Sequence, residues 1–143
     1  MKSIKFLTLV FGLLYLFYGL IELLAFFGIE IKTLIYPQRD IYVSFVLLVI
    51  SSIYLAGLKN SILGKERKAI SYLYVASLLS IAAGVLGLMV IGANALETYI
   101  LKNEDFANWT LYQGLSSYFI LGLISVIAFW KAKKIAASKK AYS

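Results

Sequence analysis

One ionisable residue interrupts the apolar stretches of this chain well away from their ends: Glu22. Tyr15, Tyr18 and Glu22 recur at spacings of three and four, which places them on one helix face. Gly12 and Gly19 lie beside them. A carboxyl inside a membrane-spanning stretch is costly and rare, and by default it marks a functional site. The chemistry it could perform is reversible binding of a proton or a cation, with Tyr15 and Tyr18 tuning it. The competing reading is a hydrogen-bonded glutamate that ties helices together. No Lys or Arg falls at matching depth in another apolar stretch. The candidate partners are therefore tyrosine hydroxyls, Ser44, Ser51, Ser80 and Asn94. A carboxyl without a relay of further ionisable groups favours the structural role.

A second pattern is a stripe of small residues: Ala76, Ser80, Gly84 and Gly87, leading to Ile91 and Asn94. Ser80-x3-Gly84 and Ala83-x3-Gly87 are small-x3-small pairs, which let helix backbones approach closely in lipid. Helix packing is the expected role of Gly12, Gly19, Ser80, Ala83, Gly84 and Gly87. A groove for a lipid tail or a quinone beside Gly84 and Gly87 is the sharper alternative. Gln113, Gly114, Ser117, Gly122 and Ser125 form a weaker version of the stripe.

What the chain lacks narrows the chemistry further. It has no His and no Cys. That excludes His- or Cys-ligated haem, iron–sulfur clusters, the usual zinc sites, the Ser-His-Asp triad and a cysteine nucleophile within this chain. Phosphate-loop, dinucleotide and metal motifs are absent as well. The expectation is a non-enzymatic protein with no metal and no cofactor. Asn108-Trp109-Thr110 matches the glycosylation sequon, but it abuts an apolar stretch where a transferase reaches poorly, so coincidence is the preferred reading.

The elements that position these residues follow from composition. Of 143 residues, 62% are hydrophobic and 15% charged, and the mean hydropathy is +0.86. A soluble domain carries about 45–50% apolar and about 25% charged residues. A soluble fold of this length could not hide so much apolar surface, so the bilayer is the solvent. Four apolar stretches stand out, at 6–29, 41–58, 69–95 and 111–130. Each comes near the roughly 20 residues a spanning helix needs. They are continuously apolar, where barrel strands would alternate. The first is too long for the core of a signal peptide and reads as an uncleaved helix. The one proline, Pro37, lies in a connection, so nothing in the sequence points to the broken helices of many transporters. The expected fold is all-α: a single transmembrane domain over 1–143, a four-helix bundle running up-down-up-down.

Charge placement predicts orientation. Four spans would put the N-terminus, residues 59–68 and the tail from Lys131 on one side. That side holds eleven of the 14 basic residues; Lys32, Arg39 and Lys102 lie opposite. Short cytoplasmic loops collect Lys and Arg, so both termini are expected in the cytoplasm of a cell-membrane protein. The bias argues against dual topology. Trp109, Trp130, Tyr36, Tyr42, Tyr99 and Tyr112 fall near the boundaries, as interfacial anchors do. The net charge of +7 then points to anionic lipid headgroups, not nucleic acid.

The segment Gly12-Leu-Leu-Tyr-Leu-Phe-Tyr-Gly19 resembles the glycine-spaced first helix of DoxX-like four-helix membrane proteins. The resemblance covers that helix alone. Four helices with one carboxyl in the first are similar in outline to small multidrug transporters, although the charge asymmetry departs from their dual-topology members. No site residue is carried over from either. The residues favour a small multi-pass accessory or structural component, associating with itself or a larger complex. A proton- or cation-coupled carrier using Glu22, and a lipid- or quinone-binding protein, are the alternatives.

Overall fold

The computed structural model describes residues 2–140. They form four long helices and several short turns: α1 (Lys2–Phe26), α2 (Ile41–Ile62), α3 (Glu66–Ala95), the single turn α4 (Leu111–Gly114) and α5 (Ser117–Lys140). A π-helical turn, Leu96–Ile100, continues α3, and a 3-10 turn covers Glu104–Phe106. Three helical stretches are long and apolar enough to cross a membrane: Lys2–Phe26, Ile41–Ile62 and Glu66–Ile100.

Several boundaries differ from the sequence reading, each for a local reason. The first stretch ends at Phe26, because Gly28 takes a left-handed φ of +87° and closes a Schellman motif. In it Ile29 N–H donates to Leu24 O and Gly28 N–H to Ala25 O. The second stretch continues through Ile62 and ends the same way at Gly64, φ +72°. Lys65 N–H there donates to Asn60 O. The expected loop over 59–68 is thus only three residues between helices. Asp40 starts α2 by accepting from Tyr42 N–H, as an N-cap does.

The fourth stretch is the largest departure. It is broken at Leu115–Ser116 without a proline. The helix then runs ten residues past Trp130 into the lysine-rich tail. That extension holds because Lys and Ala are good helix formers and because Ala128 and Ala132, one turn apart, are fully buried. Between Ser117 and Trp130 the apolar part of α5 is only about 21 Å long at 1.5 Å per residue. The hydrocarbon core is about 30 Å thick.

Successive long helices pack antiparallel. Gly12 of α1 meets Tyr54 and Leu55 of α2, and Gly19 meets Leu47 and Leu48. Gly57 of α2 meets Ala69 and Tyr72 of α3. Gly84 of α3 meets Gly122 of α5, and Gly87 meets Phe119. One end of the bundle therefore gathers the start of α1, the 63–65 turn and the end of α5. This is the lysine-rich end, where the Glu66 carboxylate pairs with Lys139. Residues 27–40 and 96–116 gather at the other, the loop end.

The interior mixes large apolar side chains, among them Phe11, Leu47, Leu73 and Leu121, with many small hydroxyl residues, and the exterior is large and apolar. Ser44, Ser51, Ser61, Ser77, Ser80, Ser117 and Ser125 are buried, while Phe6, Phe17, Phe45, Leu86, Met89 and Trp130 are more than half exposed. In water this distribution would be unstable. In lipid it is expected, since close packing and internal hydrogen bonds, not apolar burial, hold helices together.

Candidate functional site

Glu22 sits five residues before the Schellman turn that ends α1, and it is 1% exposed. The turn sends residues 27–40 back over the end of the helix. Gln38 N–H donates to both carboxylate oxygens, at 3.1 Å to Oε1 and 2.9 Å to Oε2. Arg39 N–H donates to Oε2 at 3.1 Å. The Ser117 hydroxyl, on the first residue of α5, donates to Oε1 at 3.1 Å. Two consecutive amides converge on one anion here, and Arg39 takes a left-handed φ of +57° in the same turn. Glu22 is the acceptor in every one of these contacts. It joins three elements: α1, the 27–40 connection and the broken start of α5.

The connection is tied down at further points. Gln38 Nε2–H donates to Gln113 O, and the Tyr112 hydroxyl donates to Leu34 O. The Arg39 guanidinium pairs with Glu30. At the break itself the Ser116 hydroxyl is buried and, among the described residues, lacks a hydrogen-bond partner.

The neighbours expected from the sequence are elsewhere. The Ser44 hydroxyl donates to Gly19 O and the Ser51 hydroxyl to Gly12 O, both at 2.8 Å. These are two clasps spaced seven residues apart on each helix. They form because glycine lets α2 reach the carbonyls of α1. Tyr15 is fully buried, and its hydroxyl lies 3.2 Å from that of Ser125. Ser80 bonds Tyr54 at 3.3 Å. Ser80 and Ser125 give their own protons to Ala76 O and Leu121 O, so the tyrosines donate to the serines. The Tyr15 and Tyr54 rings are 5.7 Å apart. This second polar cluster lies seven residues from Glu22 along α1, about 10 Å. Tyr18 is half-buried, packs edge-on against Phe17 and is not a partner of the carboxyl. Nor is Asn94, whose carbonyl accepts from Thr98. Tyr15, Tyr18, Asn94 and Glu22 are therefore not one constellation.

Gln38 and Arg39 escaped sequence reasoning because they act through backbone amides, which no side-chain pattern reveals. Ser117 stood in the weaker stripe, and its partner was legible only once α5 was placed. Tyr54 lies seven residues after Leu47 and three after Ser51, a spacing that marks the inward face of α2 once that face is known.

No groove opens beside Gly84 and Gly87. A Cβ at Gly84 would lie 3.0 Å from Gly122 Cα, and one at Gly87 would lie 2.8 Å from Phe119 Cβ. α5 fills the space. Apolar hollows of about 290 and 210 Å³ occur instead on the outer surface between α2 and α3, sharing Val46, Ala83 and Leu86.

Apolar helices with a hydroxyl-lined interior and a carboxylate held by loop amides define a helical integral membrane protein, which sits in a lipid bilayer. The chain belongs to the family of the MJ0565 integral membrane domain, whose model matches residues 1–134. It is 31% identical over 136 residues to a protein of Methanocaldococcus jannaschii named "Uncharacterized protein MJ0565", covering 92% of this chain and 90% of that one. No solved structure matches it.

Proposed function

We propose that this chain is a non-enzymatic accessory or structural component of the cell membrane, in which Glu22 fastens the loop end of the bundle. One observation carries the reading: both oxygens of the carboxylate are engaged by Gln38, Arg39 and Ser117. A carrier site must release its cargo and stay accessible, whereas this carboxylate is 1% exposed and serves as the joint of three elements. The hydroxyls of the Tyr15–Ser125 and Tyr54–Ser80 pairs are likewise used up in cross-helix bonds.

The same reading places four spans in the membrane, with α4 and α5 together forming the last and both termini in the cytoplasm. It is supported by the antiparallel packing and by the gathering of eleven basic residues at one end. There they face anionic headgroups, each contributing about 1 kcal/mol near such a surface. The apolar flank between α2 and α3 supports association with further copies or a larger membrane complex.

The test is Glu22→Gln in proteoliposomes. The expected result is no proton- or cation-driven flux in either protein, together with a lower melting temperature for the variant. Flux that is present in the natural protein and lost in the variant would replace this reading with the carrier.

A further inference from the structure

A cavity of about 290 Å³ opens at the loop end, on the outer side of the Glu22 clasp. It is lined by Lys32, Arg39, Glu30, Tyr36, Pro37 and Tyr112, among others. We infer that it is a binding site for a phosphate group, with Lys32 and Arg39 as the recognising cations. Three observations converge on it.

The first is charge. Two cations and one carboxylate face the cavity, so it carries a net positive charge at the end of the molecule that is otherwise poor in Lys and Arg. Among the described residues Lys32 makes no ion pair. Its ammonium is available to an anion.

The second is preorganisation. Arg39 is anchored at its backbone, where Glu22 accepts its N–H, and its half-exposed guanidinium is in a surface ion pair with Glu30 that a phosphate can displace. It keeps φ +57°, a conformation that costs a non-glycine residue energy. An arginine whose backbone is set before the ligand arrives loses less freedom on binding, and its planar fork suits phosphate. Glu22 is thus a positioning residue for this site, not a ligand contact.

The third is shape. Tyr36, Pro37, Ile31 and Tyr112 supply apolar walls beside the cations, and Tyr112 is fixed by its bond to Leu34 O. A ligand with a phosphate and an adjoining apolar or glycerol part fits such a lining. The volume is near the small end of ligand cavities, about 300–1,000 Å³. A phospholipid headgroup and a small soluble phosphate ester present the same chemistry here. The inference needs only the loop geometry, and it stands whether or not the carrier reading replaces the structural one.

The test uses the full chain in neutral detergent and follows hydrogen exchange of the amides in 29–36. The probes are glycerol 3-phosphate, dihexanoyl phosphatidic acid and, as the uncharged control, dihexanoylglycerol. Saturable slowing of exchange by fivefold or more is expected with a phosphate probe and none with the control. Slowing by both phosphate probes assigns a soluble ester as sufficient; slowing by the lipid alone assigns a headgroup. Lys32→Gln and Arg39→Gln should each raise the half-saturating concentration about tenfold. Each keeps its backbone N–H, so the Glu22 clasp is retained, and Lys32 lies on an exposed strand of loop where the fold does not depend on it. Glu30→Gln should lower that concentration, because it removes the anion that competes for Arg39. The inference is overturned if neither phosphate probe gives saturable slowing, if the uncharged control slows exchange equally, or if Lys32→Gln binds as the natural protein does.

Discussion

At the residue scale, Glu22 shows how a buried carboxylate is made tolerable without a cation. Amide and hydroxyl donors are dipoles aimed at it, and a hydrogen bond to a charged group contributes about 1.5–3 kcal/mol. Replacing Glu22 by Gln keeps the shape but removes the charge: with its amide nitrogen at the Oε1 position, the Gln38 and Arg39 N–H groups keep the remaining oxygen and the Ser117 hydroxyl turns to accept. The expected loss is about 1–2 kcal/mol of stability, as charge-assisted bonds become neutral ones. It should be read as a lower melting temperature and as faster hydrogen exchange at Gln38 and Arg39. Unchanged exchange at those two amides would rule out the clasp. Gly28 makes a second residue-scale case. Nothing lies within 4 Å of its missing Cβ, yet its φ is +87°. Gly28→Ala should therefore cost about 1–2 kcal/mol through backbone strain alone. Gly92→Ala is the matching control, helical and equally open, and it should gain about 0.5–1 kcal/mol.

At the element scale, α3 and α5 meet where two glycines touch. A Cβ on Gly122 would lie 2.5 Å from Gly84 Cα and 2.7 Å from Ser80 O, both backbone atoms that cannot rotate away. Gly122→Ala must push the helices apart, and overpacking of this kind costs about 1–3 kcal/mol. Gly12→Ala meets Leu55 Cδ2 at 2.8 Å, the far end of a flexible side chain, so its cost should be smaller. Melting of the two variants in one detergent gives the order directly, and a larger loss for Gly12→Ala would contradict this account of the α3–α5 contact. The Ser44 and Ser51 clasps are weaker features. Interhelical hydrogen bonds in membranes average about 0.6 kcal/mol, so Ser44→Ala and Ser51→Ala should each lower stability by that order.

At the scale of the whole molecule, the basic residues gather at one end and the joint of three elements lies at the other. If the lysine-rich end faces the cytoplasm, a reporter fused after the last residue should report from that side. A signal from the opposite side would invert the arrangement and put the Lys32–Arg39 cavity inside the cell. The break at Leu115–Ser116 also belongs to this scale. It leaves α5 with a short apolar run, and the Glu22–Ser117 bond fixes where that helix begins. Losing the bond should loosen the 111–117 segment together with the 27–40 connection, so protease nicking in Glu22→Gln should rise in both segments at once. Nicking confined to one of them would show that the clasp does not couple the two.

Composition determined that the chain belongs in a membrane, and the unbroken apolar pattern determined that it is helical, because hydrocarbon admits only helices and closed barrels and barrel strands alternate. The apolar stretches, the sidedness of the lysines and the unusual standing of Glu22 were all legible in the sequence, since each rests on side-chain type and local spacing. The helix ends at Gly28 and Gly64 were legible in principle, as glycines just past long apolar runs. What surrounds Glu22 was not. Its partners lie 16, 17 and 95 residues away, and two of them are backbone amides common to almost every residue. Only the tertiary structure decides which amides converge on a carboxylate. It alone decides that the small residues Gly84 and Gly87 enclose a helix contact in place of a groove, because space beside a glycine is open or filled according to what the rest of the chain brings there.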